Sequence, residues 1–491
     1  MPQSPEQKIA AAGFPAFLRG FSAIDAWLAG AAQDGREPEE RAGRSQPGGS
    51  SEPGRRSPHG GSSEPGRAAP ERSPPCRLSP SCAIRILCGA DLADLARMFE
   101  DLRYPGAVFA DAALDLRGKT WLFRCEDFGG AGAGSGPPAE AFAGALGRRR
   151  ASFAFLEFYM DCATGRFHDP NGIIPILRGI KSAAEKGDGA LCAGALGAGA
   201  GAPRAGAVLQ SRDPGADPRR AIIDGAAILA RYFPQAGARE AGAAAREIAA
   251  RGIGSPPCAQ EQRILLAELL GAPSPSPGFE FLKSSGFLGA HWPELAAMDG
   301  AEHSKEFHPE GNAWKHTMET LRYRKPAGKG SGFDLRLSLG LLLHDVGKPL
   351  SQGFGGGGAG GAGGASGGSR AGGRRGQGSR RPFDGHAQLG EGLARRFLAR
   401  LGFGADLIRD VCYLVRNHML PAALPRLPLS RSGEQMASPL FPLLMELYRC
   451  DESSSFKGLE GYYRSSAAYQ SYLRHRRNPY RSPDGKKLGK P

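Results

Sequence analysis

The chain has no run of about 18 apolar residues, the minimum expected of a membrane-spanning helix. Its opening stretch, MPQSPEQKIAAAGFPAFLRGF, lacks a basic segment followed by a long apolar core. Neither a membrane partner nor a secretory leader is expected, and the chain reads as soluble and cytoplasmic. Cysteine is thinly spread: nine residues (Cys76, Cys82, Cys88, Cys125, Cys162, Cys192, Cys258, Cys412, Cys450), an odd number, with no Cys-x-x-Cys pair. That excludes a zinc ribbon or a disulfide framework and fits a reducing compartment. Histidine is scarce at ten residues, so any clustering of it carries information.

Glycine and proline, by contrast, are abundant at 73 and 39 residues, and they concentrate in a few segments. The sequence GGSSEPGR occurs at 48–55 and again at 60–67, and residues 129–147 and 186–216 are rich in Gly and Ala. Residues 353–381 read as a flexible, basic Gly- and Arg-rich loop. These read as insertions between ordered elements, because hydrophobic periodicity resumes on either side. The formal charge is +14 and the isoelectric point about 9.5. Polyanions are the natural partners of such a chain, RNA ahead of any membrane, although the Arg-rich inserts contribute part of the charge.

Between the inserts the pattern is α+β. Strand-like runs occur at CAIRILCG (82–89), AVFADAALDL (107–116), KTWLFRCED (119–127) and FAFLEFYMD (153–161), with an amphipathic helix, ADLADLARMFEDL, after the first. From residue 219 onward the spacing turns helical, and several segments stop at Gly or Pro. The expected organisation is an N-terminal helical segment (1–34), an insert (35–75), a small mixed α/β head (76–180) and a Gly/Ala-rich linker (181–216). A helical neck (217–300), an all-α body (301–455, interrupted by 353–381) and a C-terminal helix with a basic tail (456–491) follow.

Four histidines and two aspartates occupy telling places in that body. His316 lies within the helix NAWKHTMETL, and His344 and Asp345 end the apolar helix FDLRLSLGLLLHD. His386 opens a helix, His418 closes another, and Asp451 follows the run PLLMELYRC. Burying an adjacent His-Asp pair without a partner would cost several kcal/mol. Helices that bring imidazoles and carboxylates to one cavity commonly bind divalent metals. His316, His344, Asp345 and Asp451 are the candidate ligands of one ion, with His386 and His418 for a second ion or a phosphate. Metal-bound water is a nucleophile at neutral pH, and Lys348 could offset phosphoryl charge as a point charge. Each histidine taken singly also has an ordinary reading as a surface or hydrogen-bonded core residue.

The order H…HD…H…H…D, with HDVGK at its centre, resembles the HD superfamily of metal-dependent phosphohydrolases. FHPEGNAWKHT (307–317), the preceding FLKSSGFLGAHWPELAAMDG, and VCYLVRNHM are similar to the HD domain fused to bacterial tRNA nucleotidyltransferases and poly(A) polymerases. The resemblance runs from residue 276 to 452 apart from the Gly-rich insert. It implies hydrolysis of phosphomonoesters or phosphodiesters with one or two divalent ions (Mg²⁺, Mn²⁺ or Ni²⁺), with Asp345 and Lys348 as catalytic residues. It also implies RNA, tRNA above all, or nucleotides as partners.

The same family accounts for segments of the head. RRRASFAFLEFYMDCATGRFHDPNG (148–172) resembles a family motif through Arg149, Arg150, Phe153, Asp161, Thr164, Gly165, Asp169, Pro170 and Gly172. FRCED, with Arg124, resembles the strand near the nucleotide, DPRR, with Asp217 and Arg220, resembles the base-reading element, and QRILLAELL resembles the neck helix. One feature is missing. Nucleotidyl transfer needs two carboxylates at alternate positions of a strand to hold Mg²⁺, and CGADLADL is followed by no Asp-x-Asp. Asp111 and Asp115 would stand about 13 Å apart on a strand, too far to share an ion. The head is expected to be a scaffold or RNA-binding surface and the body a phosphohydrolase. A working nucleotidyltransferase and a non-catalytic RNA-binding protein are the competing readings.

Overall fold

The computed structural model describes residues 3–34, 83–104, 111–116, 119–126, 154–185, 218–234, 238–250, 252, 256–301, 311–326, 333–353, 385–455 and 458–476. The inserts, the C-terminal tail and three candidate site residues, Arg149, Arg150 and Asp217, lie outside them.

Six strands form one mixed sheet: β1 (Ala16–Arg19), β2 (Ala83–Cys88), β3 (Ala112–Leu116), β4 (Lys119–Cys125), β5 (Tyr159–Asp161) and β6 (Phe167–His168). Their order is β3-β4-β2-β1-β5-β6. β2 and β4 are parallel, and the other neighbouring pairs are antiparallel. Parallel strands cannot be joined by a tight hairpin. The connection here runs through a helix, Leu92–Met98, and then β3. That helix starts where Asp91 accepts the N–H of Asp94 and Asp94 reaches back to the N–H of Asp91, a reciprocal cap.

Two expectations need correction. Residues 1–34 are not simply helical: helices Pro5–Ala11 (α1) and Phe21–Asp34 (α2) flank β1, which pairs with β2 on one side and β5 on the other. Four residues are too few to show an alternating pattern, and long-range pairing fixes this strand. Gly13 (φ 85°) and Gly20 (φ 60°) turn the chain on either side of it. Second, FAFLEFYMD is a 3₁₀ turn (Ala154–Glu157) followed by short β5. Phe155 and Phe158 are both buried. Positions three apart share a face in a helical turn but point to opposite faces of a strand.

With the crossover helix numbered α3, the helices continue as α4 (Ile174–Glu185), α5 (Pro218–Tyr232), α6 (Ala238–Ala249), α7 (Ala259–Gly271) and α8 (Pro275–Ser284). The body adds α9 (Ala313–Thr320), α10 (Leu335–Leu343), α11 (Lys348–Gly353), α12 (His386–Arg400) and α13 (Ala405–Asn417). It closes with α14 (Leu429–Ala437), α15 (Phe441–Ser454) and α16 (Glu460–Arg476). The fold is α+β, as the sequence pattern implied. No described helix is long and apolar enough to cross a membrane.

One apolar core runs from Phe21, Ile24 and Trp27 through Ile222 and Leu265 to Leu341 and Leu447. A second core joins Ile9, Leu95 and Phe99 to Ile86, Trp121 and Phe123 of the sheet. Polar bonds also tie head to neck. Asp25 on α2 accepts from Arg231 Nη2 at 2.6 Å and from the Tyr232 hydroxyl at 3.0 Å, and Arg85 on β2 pairs with Glu268 at 2.6 Å.

Candidate metal centre

Helix α10 carries the central motif. The Asp334 side chain caps it by accepting the N–H groups of Arg336 and Leu337, and Leu337, Leu339, Leu341, Leu342 and Leu343 are all buried. The helix therefore enters the core and delivers His344 and Asp345, each 1% exposed, to its inner end. Gly347 permits the next helix to approach. A Cβ there would lie 2.1 Å from the His386 carbonyl oxygen and 2.6 Å from the Gly390 nitrogen, so the backbones of this turn and α12 touch. That contact sets His386, the first residue of α12, beside Asp345.

Two donor groups result: His316, His344 and Asp451, and Asp345, His386 and His418. In the first, His316 Nε2 lies 2.9 Å from Asp451 Oδ1, and His344 Nε2 lies 4.0 Å from the same oxygen. In the second, His386 Nε2 and His418 Nε2 are 3.0 Å apart, and Asp345 Oδ1 is 3.5 Å from the first and 3.9 Å from the second. Asp345 spans both groups, because its Oδ2 lies 3.3 Å from His344 Nε2 and 3.9 Å from His316 Nε2. The Lys348 ammonium forms an ion pair with that Oδ2 at 2.6 Å.

Hydrogen bonding fixes which ring nitrogens face inward. His344 Nδ1 is 2.8 Å from the Leu341 carbonyl and His418 Nδ1 is 2.7 Å from the Val415 carbonyl. A carbonyl only accepts, so both Nδ1 atoms carry a proton and both Nε2 atoms are turned toward the carboxylates. Ser454 lies against His316: its hydroxyl donates to the Asp451 carbonyl at 2.6 Å, and its oxygen is 3.3 Å from His316 Nδ1. His344 Nε2 is buried with no hydrogen-bond partner. The imidazole and carboxylate atoms of each group lie close enough together to hold a cation. The 3.0 Å between His386 and His418 is also the spacing of adjacent ligands on an ion with bonds of about 2.1 Å.

The ionisation states agree with this reading. Burial pushes the His418 imidazole down to about 3, helped by His344, so its nitrogen stays neutral. Burial alone would push the carboxyl of Asp345 up, but the charges of His344 and Lys348 outweigh it and hold the group well below the usual range. Asp451 is lowered likewise, with burial opposed by the hydrogen bond and charge of His316. All six predicted ligands thus come together from five separate helical segments.

The head is different. Asp111, just before β3, accepts from the Cys125 N–H at 2.8 Å and lies 3.2 Å from Arg124 Nη1. Asp115 hydrogen-bonds Arg103. Among the described residues the head has no cluster of three metal-ligating side chains. Arg220 lies in the first turn of α5. The motif residues near β5 serve the backbone. Asp161 accepts from the Ala163 N–H and the Thr164 hydroxyl, and Gly165 turns at φ 69°. Asp169 accepts from the Ile173 and Ile174 N–H groups at the start of α4, each at 2.9 Å. Ser454 is the site residue that the sequence reading missed. Its one signal is weak: it follows Asp451 by three residues, close to one helical turn.

No family model matches the chain. It is 31% identical over 168 residues to a CC-adding tRNA nucleotidyltransferase of Thermus thermophilus, covering 34% of this chain and 32% of that one. It is 37% identical over 86 residues to a multifunctional CCA protein of Halorhodospira halophila, covering 18% and 20%. The matched segments thus span about a third and a fifth of the length of these relatives. A solved complex of a CCA-adding enzyme with ATP aligns with 96% of this chain and 81% of its own at 11% identity. Its TM-score of 0.33 is too low to bear on the fold. Over these segments the chain is similar to tRNA nucleotidyltransferases.

Proposed function

We propose that the chain is a metal-dependent phosphohydrolase of the HD type, joined to a nucleotidyltransferase-like head and acting on phosphate esters of RNA ends or nucleotides. The position of Asp345 carries the reading: one buried carboxylate reaches His316 and His344 through Oδ2 and His386 and His418 through Oδ1. In this reading His316, His344 and Asp451 hold one divalent ion, and His386 and His418 hold a second, with Asp345 shared. A bound ion supplies a water of lowered pKa and a Lewis acid for the phosphoryl oxygens. The chain's own part is to orient the imidazoles through Leu341, Val415 and Ser454, and to exclude solvent by burial. Lys348, which pairs with Asp345, would offset charge on the substrate phosphate as a point charge. Of Mg²⁺, Mn²⁺ and Ni²⁺, an imidazole-rich set favours Ni²⁺ over Mg²⁺. The test is metal analysis of the purified protein together with phosphate release from p-nitrophenyl phosphate and a 2′,3′-cyclic nucleotide under each ion. Absence of bound metal and of turnover with all three would overturn the reading.

The relatives favour a second reading at least as strongly, nucleotidyl transfer to RNA 3′ ends, since both are named for tRNA CC or CCA addition. It requires carboxylates in the head to hold Mg²⁺, and Asp111 and Asp115 there are occupied by arginines. Labelled CTP or ATP with tRNA lacking its CCA end separates the two. Incorporation that Asp111→Ala abolishes would establish transfer as the activity of the head.

A further inference from the structure

β2 and β4 run side by side and in parallel, and their last residues, Cys88 and Cys125, occupy the same register. Neighbouring strands lie about 4.8 Å apart, inside the Cα separation of about 4.4–6.8 Å that a disulfide spans. The register sets the two residues side by side, and both thiols are free. Their surroundings differ. Cys88 is fully buried and its Sγ faces the Ala90 carbonyl at 3.7 Å, whereas Cys125 is only partly buried. The contact with Cys88 lowers the Cys125 thiol, while the same contact and burial push Cys88 up. An accessible, readily ionised thiol beside a buried one suits an attacking and a resolving cysteine.

We infer that Cys125 and Cys88 form a reversible, peroxide-responsive thiol pair at the ends of β4 and β2. The Cys125 thiolate attacks a hydroperoxide: an S–O bond forms, the O–O bond breaks, and water or an alcohol leaves with a proton from solvent. The Cys88 sulfur then attacks the Cys125 sulfenic acid. An S–S bond forms, the S–O bond breaks, and water leaves with the Cys88 proton. The pair loses two electrons and the peroxide gains them. The affected end of β4 carries Arg124, beside Asp111, so oxidation reports on the head and leaves the histidine centre alone.

The full-length reduced protein, exposed to about one equivalent of hydrogen peroxide and then alkylated, provides the test by peptide mass mapping. A Cys88–Cys125 cross-linked peptide, lighter by two hydrogens and released by dithiothreitol, is expected before the other cysteines oxidise. In Cys88→Ala, a dimedone adduct is expected at Cys125. Should that variant fail to fold, the wild-type map decides alone. Cys125 still fully alkylated when other cysteines are oxidised, or joined to a cysteine other than Cys88, would overturn the inference.

Discussion

The sheet domain and the helical body use their acids in opposite ways. In the head, carboxylates meet guanidinium groups: Asp111 with Arg124 at 3.2 Å, Glu157 with Arg19 at 2.6 Å, and Asp25 with Arg231 at 2.6 Å. An arginine fork fills a carboxylate's lone pairs with donors, so these pairs are electrostatically complete. In the body, Asp345 and Asp451 meet imidazoles whose Nδ1 atoms face Leu341, Val415 and Ser454. Their Nε2 atoms turn toward the carboxylates, which gathers two sets of three metal-ligating side chains at one place. Among the described residues the head gathers no such set.

The sharpest way to break this contrast is to remove the central pair. The double variant His344→Ala, Asp345→Ala is expected to lose bound metal and to lower phosphate release by a factor of about a thousand, or about 4 kcal/mol in the barrier. Any incorporation of labelled CTP into tRNA should stay as it was. Loss of both activities together would mean that head and body share one centre. A smaller effect separates two glycines. At Gly347 an added Cβ would strike backbone at 2.1 Å, whereas at Gly165 nothing lies within 4 Å and only the positive φ of 69° opposes substitution. Gly347→Ala should destabilise by roughly 3 kcal/mol or more, as overpacking against backbone does. Gly165→Ala should cost about 1–2 kcal/mol, the penalty of a left-handed residue. Urea unfolding of the two variants measures the difference, and equal costs would show that α12 does not approach the HDVGK turn so closely.

The same two regions differ in how much the sequence revealed. The candidate metal-site residues were legible because residue type carried the chemistry: three of the four histidines stood at helix ends, and an adjacent His-Asp pair closed an apolar run. What could not be read was the split role of Asp345, since a carboxylate's two oxygens are distinguished only by what surrounds them. Sequence alone suggests a phosphate partner for Lys348, and its rest on Asp345 follows from the turn at Gly347, which no spacing rule specifies. Ser454 gave little signal because serine near a helix end has many ordinary uses. In the head the long strands β2 and β4 showed as apolar runs, but β1 did not. Four residues have no period, and their place between β2 and β5 depends on partners far away in sequence. FAFLEFYMD misled because its phenylalanines fit a strand's composition while their spacing of three fitted a turn.

The smallest effect concerns protons. Folded His418 stays neutral down to about pH 3, against 6.5 for an ordinary imidazole. Below pH 6.5 the unfolded chain therefore takes up a proton that the folded chain refuses, and stability falls as the pH falls. The slope from this residue approaches about 1.4 kcal/mol per pH unit. The carboxyls of Asp345 and Asp451 are lowered, so they retain their stabilising charge throughout pH 7 to 5 and do not obscure the measurement. Chelator-treated protein should lose stability across that range, and His418→Gln should flatten the loss. His168 on β6 is also shifted downward by burial, but it is only half-buried, and Asp161 opposes the shift. His168→Gln should leave the slope nearly as it was. If the two variants behave alike, the imidazoles of head and body are equally open to protons, and the case that the buried cluster is held neutral for a cation fails with them.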